Sequence, residues 1–252
     1  MPTDRAPRRR PRRREQEPGP ELLYGRNPIH EALRAGRREV RRVWATPSAA
    51  REPWLVESGV PVTIVADAGE IARRAGSDSH QGMCAEVEPY PYAELGELLS
   101  VPRPRLVVLD EVQDPRNVGA IARTAECAGA TGLVIGRHRS AEITATAAKA
   151  SAGAVEHLPI ARVRNIADAI GEAKAAGCWV YGADAEGAPY TELDYGDDGL
   201  ALVMGAEGKG LRPRVRSACD ALVAVPLRGR IESLNVSAAA AVLLYAIFPA
   251  AT

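Results

Sequence analysis

A chain of 252 residues that is 46% hydrophobic can hold one large domain or two modest ones around packed cores. Its 32 basic and 32 acidic residues cancel, so net charge by itself points to no polyanionic partner. No stretch of eighteen uncharged apolar residues occurs and the N-terminus lacks a signal-like apolar core, which excludes a membrane-spanning or secretory reading and leaves a cytoplasmic protein as the expectation.

The charge is unevenly spread. Seven of the first fourteen residues are arginine, interleaved with prolines that forbid a regular helix, so residues 1–20 read as a disordered basic tail. It is either a phosphate-seeking arm or a solvated extension. From Leu22 the pattern changes. LLYGRNPIHEALRAG reads as a turn and a short amphipathic helix, with Ile29, Ala32 and Leu33 on one face and Gly36 ending it. Val40 to Ala45 and Val60 to Val65 are β-branched runs bounded by turn formers, as strands are. Ala49 to Glu57 and Ala68 to Ala75 suit helices, and Gly82 to Val87 a closing strand. A small α/β domain over 21–89 is expected. Pro91, Pro102 and Pro104 flank a short helical stretch at Ala93 to Leu99, so 90–104 reads as a linker with few contacts.

Beyond it, over 105–252, apolar runs at Leu106 to Leu109, Leu133 to Ile135, Trp179 to Tyr181, Leu200 to Met204 and Ala221 to Val225 alternate with helical stretches. These are Asn117 to Ala128, Ala141 to Ala152, Ile166 to Ala176, Pro213 to Ala218 and Val236 to Phe248. Strand then helix, repeated, predicts an α/β fold with a largely parallel sheet covered on both faces. The four cysteines stand one per segment without a CxxC pair, and the four histidines show no ligand spacing. Reduced core thiols and no metal site are expected.

Three Gly-punctuated segments carry the chemistry. In LVVLDEVQDPRNVGAIARTA a buried strand and a Pro-containing turn lead into a helix with Asn117 in its first turn and Arg123 in its interior. That arginine needs a partner: a structural ion pair with Asp110, Glu111 or Asp114, or a ligand phosphate or ribose, for which a planar guanidinium suits. LALVMGAEGKGL ends a strand in a loop whose glycines let a ligand approach the main chain. It is neither a P-loop nor a dinucleotide fingerprint. VPLRGRIESLNVSAAAA runs from a strand through Gly229 to Ser233, Leu234 and Asn235 at the start of an Ala-rich helix. In isolation, Ser and Asn there would be simple helix caps.

Together, NVGAIARTA, LVMGAEGKGL and VPLRGRIESLNVSAAAA resemble, in order and spacing, the three motifs of the SpoU (TrmH-type) family of SPOUT RNA 2′-O-ribose methyltransferases. LLYGRNPIHEAL and HQGMCAEV resemble the start and end of that family's N-terminal domain, which is similar to ribosomal protein L30e. RSAEITATAAKASAGAVEHLPI is more similar to the RlmB-type branch, which methylates a guanosine of 23S ribosomal RNA, than to the transfer-RNA branch. The resemblance covers the chain from Leu22 onward and leaves the arginine tail outside.

The resemblance implies a C-terminal domain with a deep trefoil knot, S-adenosylmethionine held largely by main chain at Gly205, Val225 and Leu234, and a homodimer with sites completed across its interface. It also implies methyl transfer to a ribose 2′-hydroxyl served by Asn117, Arg123, Glu207, Ser233 and Asn235. Because arginine is a poor base, Arg123 is assigned to phosphate positioning with assistance to deprotonation. Asn117 and Asn235 are assigned to orienting substrate or Arg123, Glu207 to tethering the arginine or ribose, and Ser233 to a hydrogen bond near the hydroxyl. The implied partner is 23S ribosomal RNA or a large-subunit precursor. The alternatives are a transfer-RNA ribose methylase, an antibiotic-resistance ribosomal RNA methylase, or a non-catalytic RNA-binding protein of the same fold.

Overall fold

The structure, a computed structural model, describes residues 19–196 and 198–248. The arginine-rich stretch of the first eighteen residues lies outside the described residues. From the N-terminus the elements are β1 (Glu21–Tyr24), α1 (Arg26–Ala35), β2 (Val40–Ala45), α2 (Pro53–Glu57), β3 (Val62–Ile64), α3 (Ala68–Ala75) and β4 (Met83–Val87). They build a four-stranded sheet in the order β1-β4-β2-β3, with β4 antiparallel to β1 and β2 and β3 parallel to β2. Gly36 takes a left-handed conformation (φ 60°) and returns its N–H to the Ala32 carbonyl, which ends α1 where the glycine in the sequence places it. Asp67 caps α3 by accepting from the Gly69 N–H. The LLY stretch, read as a turn, is strand β1. A four-residue strand carries too little alternation to announce itself, and its partner β4 lies some sixty residues on.

The stretch around α4 (Leu95–Leu99) is packed, not loose. The buried Tyr90 hydroxyl donates to the Val155 carbonyl (2.7 Å), Ala93 N–H to Ile160 (2.9 Å), and Leu95 and Leu98, three apart on one helix face, join the core. The Pro91 and Pro104 carbonyls accept from Arg37 Nη2 (3.2 Å) and the Leu200 N–H (2.7 Å), which ties the segment down at both ends.

The remainder comprises β5 (Arg105–Asp110), α5 (Pro115–Cys127), β6 (Gly132–Gly136), α6 (Ala145–Ala150), β7 (Ile160–Val163), α7 (Ile166–Ala175), β8 (Cys178–Pro189), β9 (Gly199–Gly205), α8 (Pro213–Ala218), β10 (Ala221–Ala224) and α9 (Val236–Ile247). The six strands are all parallel, in the order β10-β8-β9-β5-β6-β7. In central β5, Val107 and Leu109 face a core shared with α5 and α9, while Leu106 and Val108 face one shared with α7 and α8. The strand's two-residue period thus feeds both layers. Gly119 lets α5 and α6 touch: a Cβ there would stand 2.4 Å from the Ala147 carbonyl oxygen. Cys84 and Cys178 are buried as expected, whereas Cys127 is exposed. Among the described residues no helix is long and apolar enough to cross a membrane.

A buried ion pair joins the two sheets' units. Arg38, on the turn after α1, donates from Nε to Glu156 Oε2 (3.0 Å) and from Nη2 to the other oxygen, and both side chains are essentially sealed from solvent. Among the described residues Glu156 has no other counter-charge, whereas Arg38 also reaches Glu21 (3.1 Å) at the solvent edge. Arg38→Met therefore strands a carboxylate and is expected to cost about 3–5 kcal/mol in urea unfolding, with Arg38→Met/Glu156→Leu recovering most of the loss. A single variant as stable as the parent would refute this account of the junction.

Candidate active site

The carboxyl ends of β8, β9, β10 and β5 converge at the point where strand order reverses, the usual place for a ligand crevice in an open parallel sheet. Asp110 closes β5 there, fully buried. Its Oδ2 accepts the Arg212 N–H (2.9 Å) and its Oδ1 the Arg212 Nε–H (2.8 Å), which fastens the loop after β9 to the end of β5. Hydrogen bonding to this carboxylate raises the Arg212 pKa further.

Three side chains from the three sequence segments meet at this edge. Asp114 caps α5 through the Arg116 N–H (2.8 Å), with Pro115 starting the helix, so Asn117 falls in the first turn. Asn235 caps α9: its Oδ1 accepts the Ser237 N–H (2.9 Å) and hydroxyl (2.6 Å). With that oxygen committed, Asn235 Nδ2 must donate, and it does so to Asn117 Oδ1 (3.2 Å). Asn117 Nδ2 then donates to Glu207 Oε1. The direction of the chain follows from the cap, and it ends on a carboxylate with one oxygen to spare.

Beside Glu207 lies a pocket of about 540 Å³. Gly205, Val225, Ser233 and Leu234 line it, as does Glu207 itself. Its floor is the turn from Ala206 to Gly210, closed by backbone bonds of 2.9 and 3.2 Å, with Gly208 and Gly210 at φ 72° and 64°. A Cβ on Gly205 would stand 2.2 Å from the Gly210 carbonyl carbon, so only glycine permits this floor. Asp184 and Glu186 also line the pocket, both held by Arg216 (2.9 and 3.0 Å). Burial pushes the Asp184 carboxyl up, but hydrogen bonds from the Glu186 N–H and Arg216 outweigh it and hold the group below its ordinary range.

The structure thus gathers Asn117, Glu207, Ser233, Asn235, Gly205, Val225 and Leu234 at one edge. Arg123 is not with them. Six residues beyond Asn117 it is turned about 240° around α5, exposed beside a separate hollow lined by Glu31, Glu126, Cys127 and His157. Among the described residues it makes no hydrogen bond or ion pair, and the acids read as its alternatives are occupied elsewhere. Asp110 holds Arg212, Glu111 pairs with Arg139 and Arg212, and Asp114 caps α5. Sequence reasoning missed Asp184, Glu186, Arg212 and Arg216. Asp110, the polar residue ending an apolar strand, is the one signal the sequence offers for them.

Comparison with known proteins gives two family matches: residues 104–245 match the SpoU rRNA Methylase family, and residues 22–93 match the family described as RNA 2′-O ribose methyltransferase substrate binding. YacO of Bacillus subtilis, named for the TrmH family of tRNA/rRNA methyltransferases, is 37% identical over 90% of this chain and 95% of its own length. An uncharacterized tRNA/rRNA methyltransferase of Synechocystis is 38% identical over 90% of this chain, which spans 62% of that longer relative. Among solved structures, the AdoMet-bound rRNA methyltransferase from Sinorhizobium meliloti superposes with a TM-score of 0.76 at 28% identity, covering 90% of this chain and 86% of that one.

The hydrogen bonds rank two substitutions. Asp110→Ala removes a buried charge-assisted anchor and is expected to cost about 2–3 kcal/mol in thermal or urea unfolding. Asn117→Ala breaks a half-exposed link and should cost under about 1 kcal/mol. Equal stabilities for the two would contradict the anchoring role of Asp110.

Proposed function

The chain belongs to the SpoU rRNA methylase family and is an RNA methyltransferase, and from that premise we propose that it methylates a ribose 2′-hydroxyl, on a guanosine of 23S ribosomal RNA, in the cytoplasm. The observation that carries the reading is the Asn235–Asn117–Glu207 chain at the rim of a glycine-floored pocket. The pocket suits S-adenosylmethionine. About 540 Å³ is the size that takes a nucleoside-bearing ligand, the turn at 206–210 offers uncovered main chain, and Asp184 and Glu186 present negative charge suited to a sulfonium. Gly205, Val225 and Leu234 would hold it, in a region that the family ties into a trefoil knot. When bound, the cofactor supplies an electrophilic methyl group.

The residues of the chain then have a defined task. A 2′-hydroxyl must be held in line and must lose its proton as the new bond forms. Ser233, in the pocket wall, hydrogen-bonds near that hydroxyl. Glu207, with one oxygen engaged by Asn117, tethers the ribose or a guanidinium with the other. Asn117 and Asn235 fix the direction of that chain.

Arg123 holds the phosphate next to the target ribose, and a second copy of the chain brings it to the pocket. Its exposure and its lack of a hydrogen-bond or ion-pair partner among the described residues support this, as do the half-exposed Val242 and the exposed Tyr245 on α9, which packs along α5. In a twofold dimer each α5 would serve the opposite pocket.

Incubating the protein with labelled S-adenosylmethionine and unmodified 23S ribosomal RNA should give one 2′-O-methyl mark on a guanosine, mapped by resistance to alkaline cleavage. Labelling of bulk transfer RNA instead would keep the activity and overturn the substrate; labelling of neither would leave a non-catalytic binder. Arg123→Ala should lower turnover by about 10²-fold or more with cofactor affinity unchanged. Gly205→Ala closes the pocket floor, so mixing its copies with Arg123→Ala copies should restore activity in mixed dimers. No restoration would sink the cross-subunit role.

A further inference from the structure

A second crevice opens on the same carboxyl edge, across from the pocket. It lies above β5, β6 and β7, has a volume of about 330 Å³, and is lined by Glu111, His138, Arg139, Ser140, Arg164 and Arg212. None of these residues lines the pocket; Arg212 and Glu111 enter above only through the anchor on Asp110.

The charges can be counted. Asp110, beneath the crevice, neutralises Arg212. Glu111 is shared between Arg139 (3.3 Å) and Arg212 (3.4 Å), and among the described residues Arg164 has no counter-charge. The balance is therefore positive, which rules out a cation as the ligand. Glu111 meets Nη1 of each of these two guanidiniums, and the Arg139 side chain is 73% exposed, which leaves N–H donors open to solvent at the mouth.

Two further features point to a ligand. The Ser140 hydroxyl is sealed from solvent yet has no hydrogen-bond partner, an arrangement that costs free energy unless something else engages it. Glu111 and Arg139, which face each other across the opening, both hold left-handed backbone (φ 60° and 56°), unusual for side chains of that size. Such strain persists where surrounding structure over-determines it, commonly at ligand clamps.

We infer that this crevice is a phosphodiester subsite that grips the RNA backbone beside the target nucleotide. Arg139 and Arg164 present guanidinium donors, Ser140 donates a hydroxyl, and the Asp110–Arg212–Glu111 network holds the frame. The inference rests on the RNA methyltransferase reading and adds to it a direction for the strand. The cofactor pocket, the Asn117–Glu207–Asn235 chain and the crevice follow one another along the edge, and the loop after β9 supplies both Glu207 and Arg212. RNA lying along the edge with its ribose at the chain would place a flanking phosphate over β6 and β7.

The test measures affinity of the full chain for whichever RNA it methylates, as a function of salt, beside its affinity for S-adenosylmethionine. Arg164→Ala should weaken RNA binding about tenfold, reduce the slope of log K against log salt by about 1 and raise KM for RNA, with cofactor affinity unchanged. Arg164→Lys should restore the slope, since it keeps the charge. Ser140→Ala should weaken binding without changing the slope, because a neutral donor releases no counterion. If the parent protein binds and methylates RNA while Arg164→Ala and Arg139→Ala match it in slope and affinity, the crevice is not a phosphate subsite. If the parent binds no RNA, the functional reading itself fails, and this one with it.

Discussion

The bond between Asp110 and Arg212 organises the working edge of this protein. A carboxylate fully buried at the end of the central strand needs converging donors, and the loop after β9 supplies them from one residue, through backbone and side chain together. Fixing that residue fixes the loop. Glu207 is then delivered to Asn117 on one side, and the Arg212 guanidinium to Glu111 on the other. The glycine-floored pocket and the arginine-lined crevice are two faces of one restrained turn.

The site's polarity is equally constrained. Helix initiation at α9 consumes the Asn235 oxygen, and that decision passes through two amides to end on the Glu207 carboxylate. A residue that would be a plain cap in an isolated helix thus also sets which atoms of the site donate and which accept. The arrangement uses the obligatory donors and acceptors of two helix starts and one glycine turn, placed within reach by a parallel sheet.

The junction between the two sheets follows a different rule. Arg38 and Glu156 are buried together, which gains little stability over an apolar contact but penalises any arrangement that separates them. The pair therefore specifies how the N-terminal unit sits against the six-stranded sheet more than it strengthens the whole. The Tyr90 hydroxyl on the Val155 carbonyl reinforces the same orientation from the intervening segment.

Much of this was legible in the sequence. The apolar runs from Leu106 to Met204 and the helix between Pro115 and Cys127 announce a parallel sheet, because local hydrophobic period is decided by neighbours in the chain. The glycines at 205, 208 and 210 mark the pocket floor for the same kind of reason: a backbone geometry that excludes a Cβ leaves its trace in residue type. Short strands such as β1 and β7 escaped, since four residues hold too little pattern and their pairing lies elsewhere. Only the tertiary structure decided which partners the charges take. Asp110, Glu111 and Asp114 were all plausible companions for Arg123, and folding gave the first two to Arg212 and Arg139 and the third to a helix cap, leaving Arg123 exposed on the far side of α5. A charge pairs with whatever the fold brings within a few ångströms, and that distance is set by strand order and loop closure, which spacing along the chain does not encode.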